Sequence, residues 1–326
     1  MKAAILGFGT VGSGVWKVLT ENQEQVKRYL GAPVEIAHVL DLRTFEGHPV
    51  QQVLTQNIED IITDPEVEVV VECMGGLHPA YEFVHQALTE GKAVVTSNKA
   101  LVAAYGADLM ETACDHQTDF FFEASVCGGI PVLRTIRHSL AQEQILAVEG
   151  IFNGTTNFIL SRMEQGLTYE AALAEAQAKG YAEADPTADV EGIDACRKLA
   201  IIASMLCGHA VRYEDIPTEG ITKVTSEEVQ QMRAVGKRIR LIARVTMENG
   251  TPVMKVGPEA IDAGHPLAQV KDVYNAVLIH GNMVGDIMLQ GQGAGSEATA
   301  SAIVSDVLNA LNDCRRGIFE PACWTE

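Results

Sequence analysis

The sequence predicts an α/β protein with a doubly wound parallel sheet and a second α+β domain whose sheet is mixed or antiparallel. Three observations predict it. The apolar run from Ala3 to Leu6 leads straight into Gly7-Phe8-Gly9-Thr10-Val11-Gly12, a G-x-G-x-x-G pattern followed by apolar residues at helical spacing. Strand-like and helical runs then alternate as far as Glu123, the order of a Rossmann-type sheet. Later in the chain, neighbouring strands are joined by tight turns such as Asn249-Gly250.

Each glycine of the first loop has its own task. Gly7 permits the tight turn, Gly9 lets a pyrophosphate approach the backbone, and Gly12 lets helix and strand pack closely. The helix that begins near Thr10 and Val11 offers unpaired N–H groups to phosphates. Val15, Val18, Leu19 and Val26 mark that helix, and Val34 to Leu40 reads as the next strand, ending at Asp41. An acid at this strand end takes the ribose hydroxyls of NAD, whereas a nearby arginine, here Arg43, accommodates the 2′-phosphate of NADP. Both are present, so the preference stays open.

Ile58 to Ile62 reads as a short helix. Val67 to Met74 is a near-continuous β-branched run of the kind buried on both faces, and it ends at Gly75-Gly76, which puts Met74 and Gly75 among the ligand-side loops. A helix (Pro79 to Thr89), a strand (Ala93 to Thr96), a helix (Ala100 to His116) and a strand (Asp119 to Glu123) follow. Lys99 falls just past a strand on the ligand edge, either as a solvated helix-start lysine or as a group facing ligand. From Glu123 the chain leaves this domain through Val126, Cys127, Gly128, Gly129 and Ile130. That stretch is a plain hinge, or a ring of carbonyls which, with the Glu123 carboxylate, suits a hard cation.

The second half opens with a helix (Arg134 to Leu140) and a strand (Leu146 to Phe152). A polar loop with Asn153 and Thr155 starts the next helix, and Thr168 is placed to cap an alanine-rich helix that Gly180 stops. Gly180 to Lys198 is dense in carboxylates. Asp194 and Lys198 are four apart, hence stacked on one face of a helix that continues apolar nearly all round. A surface ion pair is one reading; a buried acid–base pair is the other. Arg238 to Glu248 alternates as a half-buried strand, Val253 to Val256 returns it, and Val273 to Leu289 supplies further strand. A second glycine loop, Gly291 to Ser296, precedes a helix from Glu297 to Leu311.

The 326 residues suit two domains: 1–130, completed by the C-terminal helix at about 296–326, and 131–295. A net charge of −19 disfavours nucleic acid and anionic membranes as partners, and no apolar run is long enough to span a bilayer. A soluble, cytoplasmic protein is expected. The seven cysteines include no C-x-x-C pair, which favours buried thiols in a reducing compartment over disulfides or zinc.

These residues resemble the homoserine dehydrogenase family along nearly the whole chain. The likeness rests on GFGTVG from Gly7, TSNK from Thr96, EASVCGGIP from Glu123, NGTTNFIL from Asn153, the run from Gly180 to Lys198, and GAGSEATASAIVSD from Gly293. The resemblance implies reversible, nicotinamide-dependent interconversion of L-aspartate 4-semialdehyde and L-homoserine. It implies Lys198 as proton donor to the aldehyde oxygen and Lys99 as a second essential lysine near substrate and cofactor. Glu183 and Asp194 would bind the amino and hydroxyl ends of homoserine. A cation, usually sodium, would sit on Glu123 and the carbonyls of Val126, Gly128 and Ile130, and Gly295 would return to the cofactor.

The resemblance also implies a homodimer formed through the second domain. Two departures stand out: Leu40 occupies a position that is often basic in the family, and the threonine-regulated C-terminal domain of many members is not expected here. Two other readings remain. A CoA- or phosphate-linked semialdehyde dehydrogenase would use Cys127 as nucleophile, without an evident histidine. A nucleotide-sensing protein would keep the glycine loop alone.

Overall fold

A computed structural model describes residues 1–325, which divide into two compact units. The first comprises residues 1–129, 208–210 and 295–325 of the described chain; the second comprises 130–207 and 211–294.

The first unit contains β1 (Lys2–Leu6), α1 (Thr10–Glu21), α2 (Gln23–Leu30), β2 (Glu35–Leu40), β3 (Leu54–Thr55), α3 (Glu59–Ile62), β4 (Val67–Glu72), α4 (Ala80–Thr89), β5 (Ala93–Thr96), α5 (Lys99–Asp115) and β6 (Phe120–Phe121). The strands pair in parallel in the order β3-β2-β1-β4-β5-β6. This order reverses direction between β1 and β4, so their C-terminal ends open a crevice at the switch point. Ile5, Val39, Val71 and Val95 are fully buried because a sheet covered on both faces leaves its strands no wet side. A single helix does not run to Val26: the chain breaks at Asn22, between α1 and α2.

The second unit contains α6 (Val132–Arg134), β7 (Ile145–Ile151), α7 (Gly154–Glu164), α8 (Tyr169–Ala178), α9 (Thr187–Val190), α10 (Ile193–Cys207), α11 (Ser226–Ala234), β8 (Lys237–Glu248), β9 (Thr251–Asp262), β10 (Tyr274–Gly281) and β11 (Gly285–Gln292). Every neighbour in its sheet, β11-β10-β7-β8-β9, is antiparallel, and tight turns join β8 to β9 and β10 to β11. Helices α7, α10 and α11 pack against β8.

Several expectations are corrected here. The strand expected over Val273–Leu289 is a hairpin, β10 and β11, turning at residues 282–284. The helix expected over Arg134–Leu140 is mostly a π-turn, Thr135–Ser139, following α6. All seven cysteines are free, but only Cys127 and Cys196 are buried. Helix α11 was not anticipated, although Thr225 and Glu228 form a complete capping box.

The last helix, α12 (Ser296–Arg316), belongs to the first unit and packs along α1. A Cβ at Gly14 would lie 2.6 Å from Ser296 Oγ, so only glycine lets the two helices approach this closely. Among the described residues no helix is long and apolar enough to cross a membrane.

Candidate active site

In the first unit the glycine loop leaves β1 at the switch point. Gly7 adopts φ +90, a left-handed conformation, and its N–H donates to Leu40 O at 2.8 Å. A Cβ on Gly12 would strike the Gly7 carbonyl, so the third glycine is fixed by backbone contact. Nothing lies within 4 Å of a Cβ built on Gly9, which leaves that side of the loop open to ligand. No side chain caps α1, so its first N–H groups face the loop unpaired by a cap. Gly295, at φ +111, precedes α12, and Ser296 Oγ donates to Thr10 O at 2.6 Å. The second glycine loop therefore meets the first.

The Asp41 carboxylate ends β2 with every lone-pair direction in use. Its Oδ2 accepts from the Phe8 N–H and Arg43 Nη2, both at 2.8 Å; its Oδ1 accepts from Arg43 N and Nε, both at 2.9 Å. The Arg43 side chain, together with these backbone donors, holds the Asp41 carboxyl far below the usual carboxylate range. Arg43 itself is 62% exposed, and its guanidinium lies over the Phe45 ring. Phe8 contributes its backbone N–H only, because its ring packs against Trp16, Phe45 and His48.

A residue not singled out from sequence organises the neighbouring loops. Glu72 is fully buried at the end of β4. Its Oε1 accepts from Met74 N (2.7 Å) and Gly75 N (3.2 Å), and its Oε2 from Thr96 Oγ1 (2.5 Å). Burial pushes its carboxyl above the usual range despite these bonds. Thr96 Oγ1 accepts from Asn98 N, and Asn98 bridges Gly76 O and Leu101 N, capping α5 at Lys99. Lys99 is thus the first residue of a helix whose cap is tied to the Met74–Gly76 loop.

In the second unit, α10 carries a buried charge pair. Lys198 Nζ donates to Asp194 Oδ2 at 2.7 Å and to Phe152 O at 2.8 Å, with 8% of Lys198 and 5% of Asp194 exposed. Asn153 Nδ2 donates to the same Asp194 oxygen at 2.9 Å and to Asp189 at 2.7 Å, while its Oδ1 caps α7 through Thr156 N. Asn275 Nδ2 joins at Phe152 O, 2.9 Å. Four separated segments of chain thus converge on one ammonium–carboxylate pair. Thr155 Oγ1 donates to Tyr181 O, which ties α7 to the acidic loop. Glu183 stays apart: it is exposed and makes no side-chain hydrogen bond to another described residue. Asp189 and Asn275 are cluster members that were not singled out from sequence.

Glu123, 6% exposed, receives its backbone anchor from Asp306, which accepts the Glu123 N–H at 2.9 Å. Val126 follows in extended conformation, then Cys127 and Gly128 both take positive φ. Ile130 opens the second unit, its carbonyl accepting Val132 N at 2.8 Å.

A glycine loop at the switch point of a parallel sheet, beside an acid ending β2, defines a dinucleotide-binding oxidoreductase. The family models point the same way. Residues 7–123 match the homoserine dehydrogenase NAD-binding domain and residues 131–308 match homoserine dehydrogenase. The Bacillus subtilis homoserine dehydrogenase is 41% identical over 322 residues, 98% of this chain and 74% of that protein. The crystal structure of a homoserine dehydrogenase from Thiobacillus denitrificans superposes with TM-score 0.93 at 39% identity, covering 97% of this chain and 74% of that one. A hyperthermophilic archaeal homoserine dehydrogenase in complex with NADPH gives TM-score 0.79 at 28% identity, covering 96% and 98%.

The chain belongs to the homoserine dehydrogenase family. Its activity is the reversible NAD(P)-dependent interconversion of L-aspartate 4-semialdehyde and L-homoserine. The two other readings, a semialdehyde dehydrogenase using Cys127 and a nucleotide-sensing protein, give way to this.

Proposed function

We propose that Lys198 is the acid–base group of this reaction. The observation that carries the reading is the buried contact of its Nζ with Asp194 Oδ2 at 2.7 Å. The dinucleotide supplies the hydride when bound. As the aldehyde is reduced, negative charge develops on its oxygen, and a lysine ammonium in hydrogen-bond reach donates the proton. Asp194 and the Phe152 carbonyl fix where that ammonium points, and Asn153 fixes Asp194. Asp194 and Asn153 orient the hydroxyl end of the substrate, with Thr155 holding the loop beside them; the exposed Glu183 takes the amino end. Lys99, at the start of α5, would be the second essential lysine that the family resemblance implies.

For the dinucleotide, the loops at Gly7–Gly12, Met74–Gly75 and Gly295 bind the phosphates and nicotinamide side, and Arg43 favours NADP. Asp41 already accepts four hydrogen bonds, so a ribose diol would have to displace Arg43. A 2′-phosphate would meet the exposed outer edge of that guanidinium without breaking any of them. The archaeal relative solved with NADPH is consistent with this. The test is initial-rate oxidation of L-homoserine with NAD and NADP in parallel. The specificity constant should be higher with NADP, and Arg43→Ala should cut NADP affinity about tenfold, the loss of one charge-assisted contact. An Arg43→Ala variant that binds NADP as tightly as the wild type would contradict the assignment.

Two further parts of the reading concern the second unit's entrance and its partner. Glu123 with the carbonyls of Val126, Gly128 and Ile130 offers one buried carboxylate and neutral oxygens, a donor set fitting a monovalent cation such as sodium. It would brace this stretch rather than enter the chemistry; equal rates in sodium and tetramethylammonium salts would argue against it. Leu146, Val253, Met283 and Val284 are exposed at one end of the antiparallel sheet and support a homodimer there. A monomer mass by light scattering would rule that out.

A further inference from the structure

The second unit holds a cavity of about 350 Å³ lined by Arg162, Glu164, Arg233, Arg238, Lys271 and Asp272, among others, none of which belongs to the acid–base cluster. Its charges do not cancel. Glu164 Oε1 is bonded to the buried Arg240 at 2.5 Å, leaving its other oxygen 3.6 Å from Arg238 Nε. Asp272 is bonded to Arg162 at 3.1 Å, and Arg162 is shared with Glu175 at 3.1 Å. Arg233 donates to a carbonyl, that of Glu164. Lys271 makes no ion pair or side-chain hydrogen bond with another described residue.

Arg233 and Lys271 therefore bring two positive charges with no carboxylate partner among the described residues, and Arg238 shares Glu164 with Arg240 from 3.6 Å, in a chain whose net charge is −19. Two parts of the wall, Glu164 and the Asp272 backbone, are held in place by buried partners. Arg240 is 1% exposed and pins Glu164 from beneath. Asp272 sits at φ +54, held by Asn157, whose side-chain amide donates to its carbonyl at 3.0 Å. Two guanidinium forks and an ammonium around a partly open pocket are an arrangement that receives a compact, multiply charged oxyanion.

We propose that this cavity is a second anion site, separate from the dinucleotide loops, which takes a small phosphorylated ligand by its phosphoryl group. Its occupancy links the ends of α7 and α11 to the start of β8 and to the 271–272 loop. A phosphoryl dianion would neutralise the excess charge there, and its binding weakens steeply with ionic strength.

The test uses NADP-saturated protein, so that the dinucleotide site is filled, with inorganic pyrophosphate as the probe. Calorimetry should show one bound pyrophosphate per chain. Hydrogen–deuterium exchange should slow by at least about twofold in residues 161–165, 233–238 and 271–272. The double variant Arg238→Gln/Lys271→Gln should weaken binding about tenfold or more, and Lys271→Gln alone by a few fold, because each removes one charge-assisted contact from a half-exposed wall. No binding to the wild type would overturn the proposal, as would equal binding to the double variant or protection confined to other segments. Citrate in place of pyrophosphate separates the phosphoryl class from carboxylates: citrate bound as tightly would refute the phosphoryl assignment.

Discussion

The loops of the first unit and the charge cluster of the second reach function by opposite means. Around Gly7–Gly12 the chain presents backbone: N–H groups, a turn at positive φ, and a contact in which a Cβ at Gly12 meets the Gly7 carbonyl. Around Lys198 it presents side chains drawn from four segments, and burial gives their charges leverage. The first design tolerates changes of side chain at Thr10 or Val11 but no added atom at Gly12. The second tolerates changes of size better than any change that leaves one charge without its partner.

The contrast is sharpest at Asp194. Asp194→Ala leaves the Lys198 ammonium buried without its carboxylate, which should cost about 3–5 kcal/mol of stability as well as most of the activity. Asp194→Asn, which keeps the shape, should recover much of the stability but little of the turnover; chemical denaturation alongside steady-state rates separates the two. A smaller loss is expected at the glycine loop. Gly12→Ala forces α1 away from the loop at about 1–3 kcal/mol, and it should weaken dinucleotide binding while leaving the second unit folded. Equal damage to both units by protease mapping would mean that the loop is not a local device.

Smallest, and dependent on pH, is the effect at Glu72. Its carboxyl is raised by burial, so the folded state holds the proton more readily than the unfolded chain does. That contribution to stability is complete below the ordinary glutamate range and is lost as pH rises through the raised value. Glu72→Gln, fixed in the neutral form, should therefore gain on the wild type as pH rises above the ordinary glutamate range in urea titrations. A constant difference over that rise would show that Glu72 is not perturbed.

How much was legible in the sequence follows the same division. The glycine loop was readable because backbone geometry demands particular residues at fixed spacing along the chain, and Asp41 and the end of β4 because they close strand-like apolar runs. The Asp194–Lys198 pair was readable because one helical turn brings residues four apart together. Glu72 was not, since a charged residue ending an apolar strand looks the same in sequence whether it faces solvent or loop N–H groups. Asp189 and Asn275 join the cluster from distant segments, which no local pattern encodes. Glu183 was marked by the family resemblance alone, and its side chain lies exposed, outside the buried cluster. Helix α11 carried a legible cap at Thr225 and Glu228, but its polar composition masked the helix behind it.

The central claim is that Lys198 moves the proton, and Lys198→Ala tests it most directly. L-Homoserine oxidation would be followed at saturating dinucleotide, with dinucleotide affinity measured separately by fluorescence. The account predicts a fall in kcat of about 10²–10⁴, the range of a lost acid–base group, with affinity for the dinucleotide within about twofold of wild type. A variant that turns over at close to the wild-type rate would contradict it.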